Sequence, residues 1–275
     1  MRTRDGRTLH VVVTGEGEPT VVLEAGMGGS HHMWGAVVPA LAERTRTVTY
    51  DRSGLGRSPH DDAPRDLARL ASDLVDVLAH LGDGPVVLVG HSWGGPIVRA
   101  AAAQVPDRIA GVVLVDPSDE GCAPMLAEAN QRRTRSATWV LPLMSRLGLL
   151  RLAVRRLARQ LPEPAASGLR AEDGTRTATR THVAEVVGSL DDLRRLLDDP
   201  PVLPDVPVTV ISGAVPSRLE GPHRPALVAA HRARADAAPQ GRHVDAPRSG
   251  HMVPFTEPDL VVAEVHRLLD LVSDR

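Results

Sequence analysis

Short runs rich in apolar and β-branched residues alternate with stretches of helical spacing along most of the chain. Five such runs precede residue 118 and predict β-strands at residues 8–14, 20–24, 45–50, 86–89 and 109–116. Apolar residues recur every three or four positions between these runs, most clearly from Leu67 to Leu81, which predicts amphipathic helices. Strands that are apolar throughout are typical of a parallel sheet with helices on both faces, so we expect an α/β fold.

The alternation stops between residues 118 and 204 and then resumes. Arg-rich helical segments are predicted within this stretch at residues 144–161 and 184–197. Beyond it, the pattern predicts a strand, a helix, a short strand and a final helix at residues 206–213, 225–237, 242–245 and 258–271. We therefore expect a core of residues 1–117 and 205–275. Residues 118–204 should form a helical cap, inserted after the sixth strand, above the edge where open α/β sheets bind ligands.

The basic segment at residues 144–161 also has the composition of a helix that binds a membrane surface or a partner. We favour packing of this helix on the core, because the aliphatic stems of Arg side chains commonly cover apolar surface.

A nucleophile candidate lies where the fourth apolar run ends. The motif Gly-His-Ser-Trp-Gly at residues 90–94 follows the strand directly and precedes a good helix former at residues 97–103. A strand, a sharp turn and a helix are the context of a nucleophile elbow. Gly90 and Gly94 lack the β-carbons that would collide in such a turn. We expect the hydroxyl of Ser92 to stand above the sheet edge as a nucleophile.

A serine hydroxyl needs a base, which is most often a histidine. The chain has 12 histidines. His251 lies between the last short strand and the last helix, on the same sheet edge as the elbow. His91 is next to Ser92, and neighbouring side chains at a sharp turn point apart, whereas His31 and His32 precede the nucleophile. The position favours His251 as the base.

The base needs a carboxylate that fixes its tautomer. Asp116 ends one strand, with Asp119 and Glu120 just beyond it, while the strand at residues 206–213 is followed by no carboxylate before Glu220. We predict Asp116 as the acid, with Asp119 and Glu220 as alternatives.

Acyl transfer also needs donors for the developing oxyanion. The backbone N–H of Trp93 and that of Met27, in the glycine-rich loop at residues 26–29, are the candidates. This loop lacks the Gly-x-Gly-x-x-Gly spacing of a dinucleotide site. Trp34 and Trp139 are candidates for the lining of an apolar substrate pocket, with packing in the core as the alternative for both.

Composition removes several other functions. The 275-residue chain has 32 basic residues, all Arg, so Schiff-base and phosphate-loop lysines are excluded. Cys122 is the single cysteine, which excludes an intrachain disulfide and a cysteine-rich zinc site. A net charge of −2 and few aromatic residues argue against nucleic acid binding. With no apolar leader and no apolar run of about 20 residues, we expect a soluble cytoplasmic protein without stable membrane insertion; the oligomeric state stays open.

Taken together, the motifs resemble those of serine hydrolases with the α/β-hydrolase fold along nearly the whole chain. The resemblance rests on the elbow at residues 90–94, Asp-Arg-Ser-Gly-Leu-Gly-Arg-Ser at 51–58, Gly-His at 250–251, and Glu-Ala-Gly-Met-Gly-Gly at 24–29, where many members have a His-Gly loop. It implies a hydrolase activated through Ser92 and His251, with no metal or cofactor. The chain departs from the commonest pattern because no Asp follows residues 212–213; some members carry the acid after the preceding strand, at the position of Asp116.

The leading functional hypothesis is a carboxylesterase that acts on a small or medium apolar ester through an acyl-enzyme on Ser92. A thioesterase, lactonase, C–C hydrolase, acyltransferase or perhydrolase would use the same residues. Epoxide hydrolases and dehalogenases of this fold need a carboxylate where Ser92 stands. A non-catalytic ligand-binding or signalling protein is the alternative of another class, and the retained Ser, His and glycine-rich loop favour the enzyme.

Overall fold

A computed structural model of the chain describes residues 1–216 and 223–273. Its centre is a seven-stranded sheet with the spatial order β1-β3-β2-β4-β5-β6-β7. Only β1 is antiparallel to its neighbour, and the remaining pairs are parallel. The strands are β1 (His10–Thr14), β2 (Thr20–Glu24), β3 (Thr47–Asp51), β4 (Val86–His91), β5 (Ile109–Val115), β6 (Val208–Gly213) and β7 (Gly241–Ala246).

Helices follow nearly every strand. They are α1 (Val38–Ala42), α2 (Leu67–His80), α3 (Gly94–Gln104), α4 (Ala123–Leu126), α5 (Glu128–Arg146), α6 (Leu149–Ala158), α7 (Ala165–Glu172), α8 (Arg176–Asp198), α9 (Arg224–Ala237), α10 (Val253–Thr256) and α11 (Pro258–Ser273). Single 3₁₀ turns occur at His31–Trp34 and Pro106–Arg108.

The core lies on both faces of the sheet. Val22, Leu88 and Val112 pack with α2 and α3 on one face, whereas Val87 and Val113 pack with α1 and α11 on the other. Alternate residues of one strand thus enter different clusters, because successive side chains of a strand point to opposite faces. This explains why the central strands are apolar throughout, and it confirms the predicted mostly parallel sheet with helices on both faces.

Helices α4 to α8 lie between β5 and β6, in the stretch where the alternation of the sequence stops. We expected these helices after the sixth strand. In the described sheet they follow the fifth strand, β5. This number agrees with the five apolar runs that precede residue 118 in the sequence. Helix α8 begins with the hydroxyl of Thr175 accepting a hydrogen bond from the Ala178 N–H, a helix cap that the sequence-based start at residue 184 missed.

The predicted helical segment at residues 144–161 is wrong as a single element. Gly148 has a φ of +73°, a left-handed conformation that ends α5 and allows α6 to leave in a new direction. The two helices are bent by 85°. No single helix within residues 1–216 and 223–273 is long and apolar enough to cross a membrane; α5 and α6 meet that criterion only as this bent pair.

Candidate active site

The turn between β4 and α3 holds Ser92 in a conformation that few non-glycine residues adopt. Its φ is +55°. A β-carbon at Gly94 would lie 2.6 Å from the carbonyl oxygen of Glu24, and one at Gly90 would collide with the Gly94 carbonyl. Both glycines are therefore required for the strand and the helix to close around the serine, as expected for a nucleophile elbow.

Three side chains from distant parts of the chain form a continuous hydrogen-bonded row above the sheet edge. The hydroxyl oxygen of Ser92 lies 2.9 Å from Nε2 of His251. Nδ1 of the same imidazole lies 2.7 Å from Oδ2 of Asp116. The structure thus brings together the predicted nucleophile, base and acid, with each distance in the range of a hydrogen bond.

Asp116 is fully buried and held by several donors. The Gly213 N–H donates to Oδ1 at 2.9 Å, and Nη1 of Arg224 donates to both carboxylate oxygens at 2.6 and 2.8 Å. Burial alone would raise the pKa of Asp116, but the hydrogen bond from His251 and the charge of Arg224 lower this pKa to about 2. The carboxylate is therefore ionised at neutral pH and can orient the imidazole.

His91 does not reach the nucleophile, in agreement with the interpretation that its side chain points away. Its Nε2–H instead donates to the backbone carbonyl oxygen of His251 at 2.9 Å. Burial, reinforced by the nearby His251, lowers the pKa of His91 to about 3, so the ring is neutral. His91 thus fastens the loop that carries the base.

The two candidate oxyanion donors lie beside the nucleophile. A β-carbon added to Gly26 would be 3.2 Å from Cβ of Ser92, so the loop at residues 26–29 packs directly against the serine. The backbone N–H groups of Met27 and Trp93 donate to no acceptor within the described ranges. Both donors are therefore available to a ligand at Ser92.

A buried ion cluster holds this glycine-rich loop in place. Arg52 donates to the carbonyl oxygens of Ala25 and Gly26, at 2.8 Å each, and to Glu185. Oε2 of Glu185 accepts the Gly28 N–H at 2.9 Å. Glu185 is on α8, so this helix fixes the backbone that carries the Met27 N–H. The charges of Arg52 and Arg65 outweigh the effect of burial and lower the pKa of Glu185 to about 2.

A cavity of about 410 Å³ opens on one side of Ser92. Most of its wall is apolar and comes from α5, α6, α7 and α10, including Leu141, Leu150, Val154, Leu157, Leu169 and Phe255. Two titratable side chains, Asp173 and His182, also face it. Burial raises the pKa of Asp173 to about 7 and lowers the pKa of His182, so burial favours the uncharged form of both side chains.

A second, smaller cavity of about 220 Å³ reaches Ser92 and His251 from another direction. Pro117, Ser118, Arg133 and Arg224 contribute to its lining, which is more polar than that of the first cavity. Ser92 thus stands between an apolar and a more polar space.

Neither tryptophan predicted to bind substrate lines the larger cavity. Trp34 is fully buried in the cluster beneath α1 and α7, where its indole meets His91 edge-on at 6.4 Å. Trp139 is 64% exposed on α5. Bulk and apolar character predicted a pocket for both, but Trp34 packs in the core and Trp139 faces outward.

The alternative acids are placed differently from Asp116. Asp119 forms an ion pair with Arg234, with an Oδ1–Nη2 distance of 2.8 Å, and has no contact with His251 among its described hydrogen bonds. Glu220 lies outside the described residues.

Sequence reasoning missed Arg52, Glu185 and Arg224. Arg52 belongs to the motif at residues 51–58, and its position directly after a buried strand was an available signal. Glu185 and Arg224 had no comparable signal, because each acts on a loop that is distant in sequence.

Comparison with known proteins agrees with this fold. The family model described as alpha/beta hydrolase fold matches residues 19–166, more than half of the chain. The chain belongs to the alpha/beta hydrolase family.

Relatives in this family carry different activities in their names. "Putative carbamate hydrolase RutD" of Caulobacter vibrioides is 41% identical over 118 residues, which are 42% of this chain and 43% of that protein. The chain thus matches less than half the length of such curated relatives. An esterase of Thermogutta terrifontis has a TM-score of 0.71 at 25% identity, over 96% of this chain and 93% of that one. Epoxide hydrolase CorEH has a TM-score of 0.74 at 22% identity, over 98% and 96%, and shows the shared fold.

Proposed function

We propose that the protein is a serine hydrolase that cleaves carboxylic esters with a small or medium apolar group. The observation that carries this proposal is the row Ser92–His251–Asp116, with distances of 2.9 and 2.7 Å. In this arrangement the imidazole accepts the hydroxyl proton, and the ionised Asp116 stabilises the imidazolium that forms.

The reaction follows from the positions of these groups. The Ser92 oxygen attacks the ester carbonyl carbon while its proton moves to Nε2 of His251. The N–H groups of Met27 and Trp93 stabilise the oxyanion. The tetrahedral intermediate then expels the alcohol, which takes the proton from His251, and an acyl group remains on Ser92. A water molecule, deprotonated by His251, releases the acid and restores the serine.

The apolar cavity supports an apolar substrate group. Its volume of about 410 Å³ lies within the range typical of small-molecule sites. The side chains of α6 that face it are aliphatic, and Asp173, which also faces it, has a pKa that burial raises to about 7. A charged acyl or alcohol chain would lose its hydration in this apolar cavity, and the aliphatic side chains of its wall would not compensate for that loss.

A panel of p-nitrophenyl esters from acetate to octanoate tests the proposal. We expect turnover of the short and medium esters, and its loss in Ser92→Ala, which removes only the hydroxyl. Unchanged turnover in Ser92→Ala would refute the proposal.

A carbamate is the second candidate substrate, because of the 41% identity with the protein named carbamate hydrolase. The same row of residues would form a carbamoyl-enzyme on Ser92. Comparing ethyl carbamates with matched ethyl esters in one assay distinguishes the two candidates. We expect no epoxide turnover, because Ser92 occupies the position where that reaction needs a carboxylate.

A further inference from the structure

A second cluster of polar side chains lies outside the candidate active site, where α7 meets the 3₁₀ turn after β2. The imidazoles of His31 and His32 lie with their ring centres 3.8 Å apart. Nε2 of His32 is 3.0 Å from Oε2 of Glu172, the last residue of α7. One ligand atom from each of these three residues lies within 4.8 Å of the other two. The cluster therefore joins the core to the cap.

The surrounding contacts leave one free nitrogen on His31 and fix its ring. Nδ1 of His31 lies 2.9 Å from both carboxylate oxygens of the fully buried Asp51. Nε2 is thus the nitrogen of His31 that is available to a ligand. A carboxylate that binds the other nitrogen of a metal-ligating histidine is the usual arrangement around protein-bound zinc, because it orients the ring and raises its basicity.

The remaining partners are compatible with a cation between these residues. Arg57 donates to Oε1 of Glu172 at 2.8 Å, which leaves Oε2 on the side of His32. Neighbouring ligand atoms around tetrahedral zinc are about 3.3 Å apart, close to the observed separation of 3.0 Å. Gly168 of α7 provides room for His32, because a β-carbon there would collide with the imidazole.

The cluster also contains an unsatisfied nitrogen. Nε2 of His10, whose ring centre is 5.3 Å from that of His31, is buried without a hydrogen-bond partner in the described structure. His10, His31 and Asp51 form a second group of possible ligands that shares His31 with the first.

We propose that Nε2 of His31, Nε2 of His32 and Oε2 of Glu172 bind one divalent cation of the zinc class. Two imidazoles and one carboxylate suit zinc and similar ions, whereas magnesium and calcium prefer oxygen ligands alone. The ion joins the turn at His31–Trp34 to the end of α7 and so fastens the cap to the core. This departs from the sequence-based expectation that no metal is bound.

The experiment uses the full-length protein after treatment with EDTA and dialysis. Titration calorimetry with ZnCl₂ should give one ion per chain, and MgCl₂ should give no heat of binding. At a hundredfold excess over Kd, we expect zinc to raise the Tm by about 5 °C. His32→Gln and Glu172→Gln should each weaken zinc binding at least tenfold. Ester turnover in metal-free buffer and circular dichroism report whether each variant is folded.

Matched controls separate this site from nonspecific binding. His60→Gln removes another histidine that is paired with a carboxylate, and Glu163→Gln removes an exposed carboxylate close to α7. Both should bind zinc as the unmodified protein does. The proposal is overturned by the absence of zinc binding, by unchanged binding in both His32→Gln and Glu172→Gln, or by loss in His10→Gln with full binding in Glu172→Gln.

Discussion

The imidazole of His91 donates a hydrogen bond from Nε2 to the backbone carbonyl oxygen of His251, at 2.9 Å. The residue that precedes the nucleophile thus positions the loop that carries the base. This contact requires the neutral ring with its proton on Nε2, and burial maintains that form by lowering the pKa of His91 to about 3. The elbow and the base are therefore connected through the backbone as well as through the Ser92 hydroxyl.

This connection makes stability depend on pH in a defined way. In the unfolded chain His91 gains a proton below about pH 6.5, whereas in the folded protein it stays neutral down to about pH 3. The contribution of His91 is fully present above pH 6.5. It falls by about 1.4 kcal/mol for each pH unit below that value.

His91→Gln tests this prediction, because the Gln amide keeps an N–H donor and does not titrate. The variant should lose less stability than the unmodified protein between pH 6.5 and 5, as measured by urea denaturation. All other buried histidines are common to both proteins, so their contributions cancel in the difference between the two free energies of unfolding. Parallel stability curves would show that His91 is not kept neutral by burial.

Asp116→Asn should slow the turnover of p-nitrophenyl esters about 10³- to 10⁴-fold. The amide can hold the imidazole in the wrong tautomer and removes the charge that stabilises the imidazolium. It also removes the buried carboxylate charge that Nη1 of Arg224 contacts, so the Tm should fall as well. Turnover is therefore measured per folded molecule, at a temperature well below the lower Tm.

Asp119→Asn is the control for this change, since it also removes a buried carboxylate that pairs with an arginine. It should lower the Tm and leave kcat within a few-fold of the unmodified value. Near-normal turnover in Asp116→Asn would transfer the role of the acid to Asp119 or Glu220.

Glu185→Gln should lower kcat roughly 10- to 100-fold with little change in KM. The substitution weakens the hold on the Gly28 N–H and so shifts the neighbouring Met27 donor, which acts mainly on the charge of the transition state. Asp192→Asn is the matched control on the same helix, where a buried carboxylate accepts the Leu67 N–H away from the loop. If both variants lose stability and neither loses kcat, Glu185 contributes to the stability of the fold and does not position the Met27 donor.

Leu157→Trp should shorten the range of accepted esters. Leu157 faces the larger cavity from α6, and an indole there would occupy part of about 410 Å³. We expect octanoate turnover to fall at least tenfold relative to acetate. Leu152→Trp, on the same helix but 63% exposed, should leave the ratio of the two esters unchanged. An equal fall in octanoate and acetate turnover in Leu157→Trp would show that the acyl chain does not bind in this cavity.

Local patterns predicted the sheet, most of the core helices and the row of Ser92, His251 and Asp116. These features are encoded within short windows, such as the apolar run before the elbow and the Asp at the end of β5. The proximity of the three residues could also be predicted, because parallel strands bring their carboxyl ends to one edge of a sheet.

The placement of individual side chains could not be predicted in the same way. Apolar bulk does not decide whether Trp34 faces the core or a cavity, because both environments are apolar. Glu185 resembles any solvent-facing charge on an amphipathic helix until α8 is packed over Arg52. The glycine at position 148 was a possible sign of a break in the segment at residues 144–161. It was not decisive, because glycine within a helical pattern is often tolerated.

The most direct test of the account is to label the protein with a fluorophosphonate probe and map the modified peptide. The activated serine should form a phosphonyl ester, and the label should lie on Ser92 and disappear in Ser92→Ala. His251→Gln should slow labelling by orders of magnitude, because the hydroxyl then has no base. Labelling on another residue, or labelling of Ser92 at the same rate without His251, would contradict the central claim that these two side chains act together.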